Sequence, residues 1–566
     1  MSRTLEQSRT VWREPELLDD ERIALTEWPL LSALLHARGI SDTAAATTFL
    51  SPRKAPLADP LLLRDMEQAV AMLRAAIERG DRIGIFGDYD VDGITSTAML
   101  TRALRRRGAT VIPMIPHRKN DGYGVTPQSV ERILSNDIQF LITVDCGSSS
   151  PNEFAALHEH GVDAIILDHH NISGVLPDTC AFVSPKRPDN HAAFTELAAV
   201  GVAHALIRAL IGDEAAEMYL PYVALGAVAD VVELVGDNRT LVARGLSALR
   251  RWKLPGMIAL CQSANIDQAT IGTFEIGYVL GPRINAAGRM DDPQLALDLL
   301  LADDLATAAP LAGTLNGLNE RRQADTRRVI DEAHRMILDA GGIDGFPAIV
   351  LADPGWSTGI AGIVAGRLAE AYNRPAVVME LGVEESRGSA RTSGGIDIHA
   401  ALQQSRPLLT RFGGHSAAAG LSLRSEHLEQ LQRELSATVF DLSGGRLPDR
   451  VLELDAEVTH DDLDLSTVDL LSCLEPFGLG NAQPFLLIPH VRHRFPKTSK
   501  DGKHLLFQVI DDRGRSHRTV MFGAGHRLDE LRSTPRIDLA AHLTRDDWSG
   551  RSELKLRVTD FRPTRA

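Results

Sequence analysis

The chain has 566 residues, 44% hydrophobic and 24% charged, with a formal net charge of −15. That length suits three or four domains, and the composition excludes intrinsic disorder, collagen-like repeats and small disulfide scaffolds. No apolar run reaches the roughly 20 residues that span a bilayer, the start lacks a signal-peptide core, and the four cysteines are too scattered for a zinc ribbon, so a soluble cytoplasmic protein is expected.

In chain order, residues 1–80 read as a helical cap that ends in the amphipathic stretch 66–79. Apolar strand cores at 82–86, 109–115, 140–144 and 164–167 then alternate with helical segments, among them 94–107, 221–232 and 237–251. This alternation predicts βαβ units and a mostly parallel sheet over 81–290. Residues 291–342 are charged, rich in Ala and Leu and free of strand signal; they read as a helical spacer interrupted at Pro310. A second α/β body spans 343–442, with strands at 348–351, 376–379 and 387–391 and a helix at 359–372. After the turn-rich 443–446, short β-runs within 450–566 (505–510, 518–521, 554–558) suit a small β-barrel.

Charge is distributed unevenly. From His490 onward there are 17 Lys/Arg against 10 Asp/Glu, a net of +7, so the preceding residues carry −22. A basic terminal module on an acidic body suits contact with a polyanion, although an ordinary mixed surface gives the same count.

The most informative segment is Asp88-Tyr-Asp90-Val-Asp92-Gly93, three carboxylates at alternate positions directly after an apolar strand. Crowded like charges call for a balancing cation. A calcium loop of the EF-hand type shares the Asp spacing, but its twelfth position would be Met99 in place of a bidentate Glu. Asp145 ends another apolar strand in Val144-Asp145-Cys146-Gly147, and Asp168-His169-His170 ends a third. Alone, each such Asp reads as a cap or turn residue. Repetition at the carboxyl ends of parallel strands would bring them together at one sheet edge. Asp230 lies inside an apolar helical run, where an unpaired carboxylate is costly. Asp and His ligands without cysteine suit Mn²⁺ or Mg²⁺ ahead of Zn²⁺. The number of ligands suggests two ions about 3.5–4 Å apart, an arrangement used for phosphoester cleavage.

On these motifs, together with Phe412-Gly413-Gly414-His415, Gly281-Pro-Arg283-Ile-Asn285 and Pro476-Phe-Gly-Leu-Gly-Asn481, the chain resembles the DHH phosphoesterase superfamily from about residue 82 to the end, and within it the single-strand-specific exonucleases. The resemblance implies an α/β fold: a parallel-sheet DHH domain (81–290), the helical spacer (291–342), a DHH-associated domain (343–442) and an OB-like barrel (450–566). It implies digestion of single-stranded DNA from the 5′ end to 5′-mononucleotides, in DNA recombination and repair. The strand would pass through the cleft between the two α/β bodies.

Two divalent cations, Mn²⁺ or Mg²⁺, are implied, with Asp90 and Asp145 on one and Asp92, Asp145, His169 and Asp230 on the other. Asp88 and His170 would act beside them. Arg283, expected on a constrained turn after Gly281-Pro282, with Asn285, Arg391, Gly413, Gly414 and His415, would bind DNA and its terminal phosphate. A tight turn at Gly413–Gly414 and a surface position for Arg283 are the plainer readings of those segments. Phe86 and Ser357 depart from the superfamily pattern, which often has histidine at both places. Implied partners are single-stranded DNA, a single-strand-binding protein and a helicase, with no membrane and a monomeric chain. A small-substrate phosphoesterase and a non-catalytic scaffold of the same superfamily are the rival readings.

Overall fold

The structure, a computed structural model, describes residues 9–15, 24–117, 121–122, 124–172, 174–177, 180–190, 196–343, 346–511, 513–547 and 551–564. Two compact units are formed, one from 13–288, 293–313 and 453–566, the other chiefly from 314–452. No helix among the described residues is long and apolar enough to cross a membrane.

The cap is not purely helical. Strand β1 (Thr10–Arg13) precedes the helices Pro29–His36, Thr43–Leu50 and Met66–Arg79. Residues 1–8 and 16–23 of the expected cap lie outside the described residues. Five strands follow in the first unit: β2 (Arg82–Gly87), β3 (Thr110–Met114), β4 (Phe140–Val144), β5 (Asp163–Leu167) and β6 (Ala181–Val183). They form a parallel sheet in the order β3-β2-β4-β5-β6. The interior residues of the central strands β2, β4 and β5 are buried and, Thr143 apart, apolar, as expected for strands covered by helices on both faces. The edge strand β3 is half-buried at Ile112 and Pro113.

The spacer differs from expectation at Pro310. One helix, Leu305–Asp339, runs through it. A proline in the second turn removes only the donor that would reach residue 306, a loss that a 35-residue helix absorbs.

In the second unit, β7 (Ile349–Asp353), β8 (Ala376–Glu380), β9 (Glu385–Arg391), β10 (Leu409–His415) and β11 (Ala418–Arg424) make a mixed sheet in the order β10-β11-β9-β8-β7. Only β7 and β8 are parallel. One apolar cluster around Val377, Leu421 and Leu435 and another around Val329, Ile349, Ile360 and Val364 form separate cores of this unit. Ser357 has a structural part here: its hydroxyl caps the helix Thr358–Tyr372 by accepting from Gly359 N–H at 3.2 Å.

Strand β12 (Arg450–Glu453) pairs with β1. Beyond it come β13 (Ala456–Glu457), β14 (Leu486–Thr498), β15 (Leu505–Ile510), β16 (Ser516–Met521), β17 (Arg536–Asp546) and β18 (Glu553–Pro563). Pairing of β14 with β15, β15 with β16, β16 with β18, β18 with β17 and β17 back to β14 closes a five-stranded barrel. Its interior residues Ile488, Val509, Leu539 and Leu556 share one core with Leu31, Leu34, Leu35 and Ala46 from the cap helices. The cap and the barrel are therefore one packed body.

Candidate metal centre

Register places the site. Gly87 pairs with Val144, and Val144 with Leu167, so the next residue along each strand is Asp88, Asp145 and Asp168. The sheet runs from β2 out to β3 and returns to β4 on the other side of β2. Asp88 and Asp145 thus flank the point where strand order reverses, where open α/β sheets bind ligands.

Each carboxylate is fixed by its local backbone. Asp90 caps the helix Val91–Arg106, accepting from the N–H groups of Asp92 (2.9 Å) and Gly93 (3.1 Å). Gly93 is required at that helix start, because a Cβ there would lie 2.4 Å from the carbonyl oxygen of Asp88. Asp92 is fully buried, and its two oxygens accept from Ala199 N–H (2.8 Å) and Val200 N–H (2.9 Å) at the start of the helix Ala199–Ile211. Asp145 has a left-handed backbone, φ 63°. Asp230 follows the helix Leu220–Ala229.

His169 Nε2 lies 3.2 Å from Asp145 Oδ1, 3.5 Å from Asp230 Oδ2 and 3.8 Å from Asp92 Oδ2. Three overlapping sets have ligand atoms within 4.8 Å of one another: Asp88, Asp90 and Asp145; Asp92, His169 and Asp230; Asp145, His169 and His170. All seven acidic and imidazole residues expected at the centre are brought together, and Asp145 belongs to two of the sets. Phe86 is wholly buried in an apolar cluster, which removes it from coordination.

The electrostatics demand a cation. Burial, then the charge of Asp90, pushes Asp92 up to about 7. Burial, then Asp92 and Asp90, pushes Asp230 up to about 9. Burial and four neighbouring carboxylates hold Asp145 well above the usual range. His169 is pushed down to about 4 by burial and by His170, so it presents a neutral imidazole. Asp145 Oδ1 and His169 Nε2 are buried without a hydrogen-bond partner. Oxygen ligands with imidazole and no thiolate fit a hard or borderline divalent ion.

Asp168, not singled out from the sequence as a site residue, organises the other histidine. His170 Nδ1–H donates to Asp168 Oδ1 at 2.8 Å, and the N–H groups of His169, His170 and Ser148 donate to the same carboxylate. Burial opposes a charge on His170, but Asp168 and the nearby carboxylates outweigh it and raise the imidazole to about 9. Conversely, burial disfavours the Asp168 charge, yet His170 holds that carboxyl well below the usual range.

Arg283 and Asn285 do not sit on a constrained turn. They lie on a helix, Gly281–Met290, that continues a π-helical turn, Ile276–Leu280. Pro282 has no N–H to give, and the wider turn lets Gly281 N–H reach back to Ile276 O, while Arg283 Nη1 donates to Val279 O at 2.7 Å. A Cβ on Gly281 would lie 3.3 Å from that of Ala229, and one on Gly288 would lie 2.8 Å from Tyr89 O. The helix therefore runs along the centre, from beside Asp230 to beside Asp90. One turn upstream, Phe274 and Tyr278 stack at 4.9 Å between centroids, 58% and 73% exposed. Their i, i+4 spacing was the available sequence signal.

The remaining phosphate candidates belong to the second unit. Gly413, Gly414 and His415 are the end of β10, not a tight turn; antiparallel pairing with Gly420, Ala419 and Ala418 of β11 keeps the segment extended. His415 pairs with Ala418 and Ala418 with Arg391, so the imidazole and the guanidinium stand in one cross-strand row.

A parallel sheet that delivers Asp, Asp and Asp-His-His from three strand ends defines a DHH phosphoesterase. Accordingly, the DHH family N-terminal domain matches residues 82–229, the DHHA1 domain 345–440 and the RecJ OB domain 454–560. The single-stranded-DNA-specific exonuclease RecJ of Bacillus subtilis is 32% identical over 564 residues, covering 98% of this chain and 71% of that protein. The crystal structure of RecJ with Mn²⁺ from Thermus thermophilus superposes with a TM-score of 0.83 at 30% identity, over 99% of this chain and 80% of that one. The corresponding Mg²⁺ structure gives 0.78 at 28% identity, over 99% and 79%. The chain belongs to the RecJ family.

Proposed function

We propose that this chain is a two-metal exonuclease that degrades single-stranded DNA from its 5′ end to 5′-mononucleotides, in DNA recombination and repair. The observation that carries this reading is the convergence of Asp88, Asp90, Asp92, Asp145, His169 and Asp230 in ligand sets linked through Asp145 and His169. Asp90 and Asp145 would hold one cation, and Asp92, Asp145, His169 and Asp230 the other. Bound there, a pair of divalent ions supplies Lewis acidity, which lowers the pKa of an attacking water and balances charge on the departing oxygen.

The chain's own groups do the rest. Asp145 joins the two ligand sets and fixes their spacing. His170, its Nδ1–H held by Asp168 and 3.7 Å from Asp145, would face a phosphate oxygen, with Asp168 favouring its charged form. Phe274 and Tyr278 offer a flat face on which a base can stack. Arg283 and Asn285 on the flanking helix, and the row containing Arg391 and His415, are the groups assigned to the terminal phosphate.

The test is a comparison of a long 5′-phosphorylated strand, the same strand circularised, a dinucleotide and pyrophosphate, each with Mn²⁺ and Mg²⁺. Mononucleotide release from the linear strand with a resistant circle is expected. Cutting of the circle removes the exonuclease reading, and a preference for the dinucleotide or pyrophosphate favours a small-substrate phosphoesterase.

A further inference from the structure

The motif Pro476–Asn481 lies in the terminal module, far in sequence from any residue of the metal centre, yet it is folded onto the segment that follows Asp230. Leu234 N–H donates to Leu479 O at 2.7 Å. A Cβ on Gly478 would lie 2.7 Å from Leu234 Cδ1. Gly480, with φ +73°, faces Glu233 and Val235, where a Cβ would come within 3.1 Å and 3.2 Å. The turn is closed by Gly478 N–H to Asn481 O (2.9 Å) and Asn481 N–H to Gly478 O (3.2 Å).

Buried side chains anchor it from both sides. Asn481 Nδ2 donates to Leu474 O and Pro476 O, and Asn481 Oδ1 accepts from Arg38 Nε at 2.8 Å. Arg239, on the helix Gly236–Leu249, sends its guanidinium to the carbonyls of Leu474, Glu475 and Pro476 while lying 3.8 Å from the ring centroid of Phe49. Between this clamp and Asp230 stands Val231, a β-branched residue with a left-handed backbone (φ 61°) and an exposed side chain. That conformation is unfavourable for valine and persists only where the surroundings impose it.

We propose that the Gly478–Asn481 turn is a positioning element for the metal centre: by gripping Leu234 and its neighbours it holds the Val231 turn and so aims Asp230. The terminal module thereby sets the affinity of the cation assigned to Asp92, His169 and Asp230. This rests on the metal reading above and extends it to residues that belong to none of the ligand sets.

The test is Mn²⁺ titration of the full chain, followed by the electron paramagnetic resonance of free Mn²⁺, for the parent, Gly480→Ala, Arg239→Lys and Asp230→Asn. Gly480→Ala places a Cβ in the left-handed turn against Glu233. Arg239→Lys loses the fork that holds three carbonyls. Each should weaken one of the ions about tenfold, the scale seen when an outer partner of a metal ligand is lost. The affected ion should be the one that Asp230→Asn abolishes. Adding Val231→Gly to Gly480→Ala should restore the affinity, because glycine takes the left-handed turn without strain. If Gly480→Ala does not fold, Arg239→Lys carries the measurement from the other side of the turn. Unaltered Mn²⁺ isotherms in the folded variants, while Asp230→Asn loses an ion, would overturn the positioning role. An Asp230→Asn isotherm equal to the parent's would instead remove the metal reading on which it rests.

Discussion

The left-handed backbone of Asp145 costs an L-residue roughly 1–2 kcal/mol, and the fold sustains it because Asp145 N–H still donates to Leu167 O at 2.9 Å. That bend turns the carboxylate into the space shared by two ligand sets. Asp145→Ala should therefore lower hydrolysis at least about a hundredfold, beyond the usual effect of losing an outer partner of a metal ligand. Without metal the same variant should melt no lower than the parent, since its carboxyl is buried among like charges that hold it well above its ordinary range. A metal-free melting temperature well below the parent's, or substantial residual activity, would contradict the assignment. The acids of this centre could be read from the sequence because Asp88 and Asp145 directly follow apolar strands, Asp90 and Asp92 repeat the first at alternate positions, and Asp230 ends an apolar helical run. The role of Asp168 could not. Its sequence signature is that of any strand-end Asp, and the bond to His170 exists only once the chain turns back after β5.

Among the elements, the helix Gly281–Met290 shows most clearly where local sequence misleads. Gly-Pro reads as a turn, yet the π-helical turn before it accommodates the missing donor, and the helix is retained. In β10, glycines suggest a loop, but pairing with β11 on one side supplies the extended conformation that propensity alone does not. The consequence for Arg283 is testable. On a helix beside the centre, its guanidinium fork can meet a terminal phosphate with two parallel bonds. Arg283→Lys keeps the charge but loses the fork. The ratio of kcat/KM for 5′-phosphorylated over 5′-hydroxyl strands should fall about tenfold, a loss near 1.4 kcal/mol and typical of one charged hydrogen bond. Mn²⁺ stoichiometry should be unchanged. An unaltered ratio would move the phosphate site to the row of Arg391 and His415.

At the scale of the molecule, the basic excess of the terminal module is narrower than the sequence count suggests. Arg513, Arg515, Arg518, Arg527, Arg532, Arg545, Lys555 and Arg562 are paired with carboxylates. Arg492, Arg494, Lys497, Lys500 and Lys503 are exposed, with no ion pair among the described residues. They lie on β14 and the connection to β15, around a bulge where Phe495 takes φ 55° and is 71% exposed. Of the module's other aromatics, Phe507 and Phe561 are core residues, Phe522 is exposed and Trp548 lies outside the described residues.

The shared core and the Gly478–Asn481 turn also decide how the module's grip can be measured. Deleting everything beyond residue 450 would strip Leu31, Leu34 and Leu35 of their packing partners and remove the clamp on the Asp230 segment. Such a deletion cannot isolate strand binding from folding or metal affinity, and it should abolish cleavage even of very short oligonucleotides. Surface replacement can isolate it. Arg494→Ala, Lys497→Ala and Lys500→Ala together should leave the melting temperature and Mn²⁺ affinity intact while weakening the hold on a long single strand. If all three contact phosphates, the slope of log K against log salt should shrink by about 2, at roughly 0.7 per phosphate neutralised on a single strand. Cleavage of oligonucleotides too short to reach the barrel should be unchanged. A salt slope equal to the parent's would mean that the strand bypasses this face of the barrel.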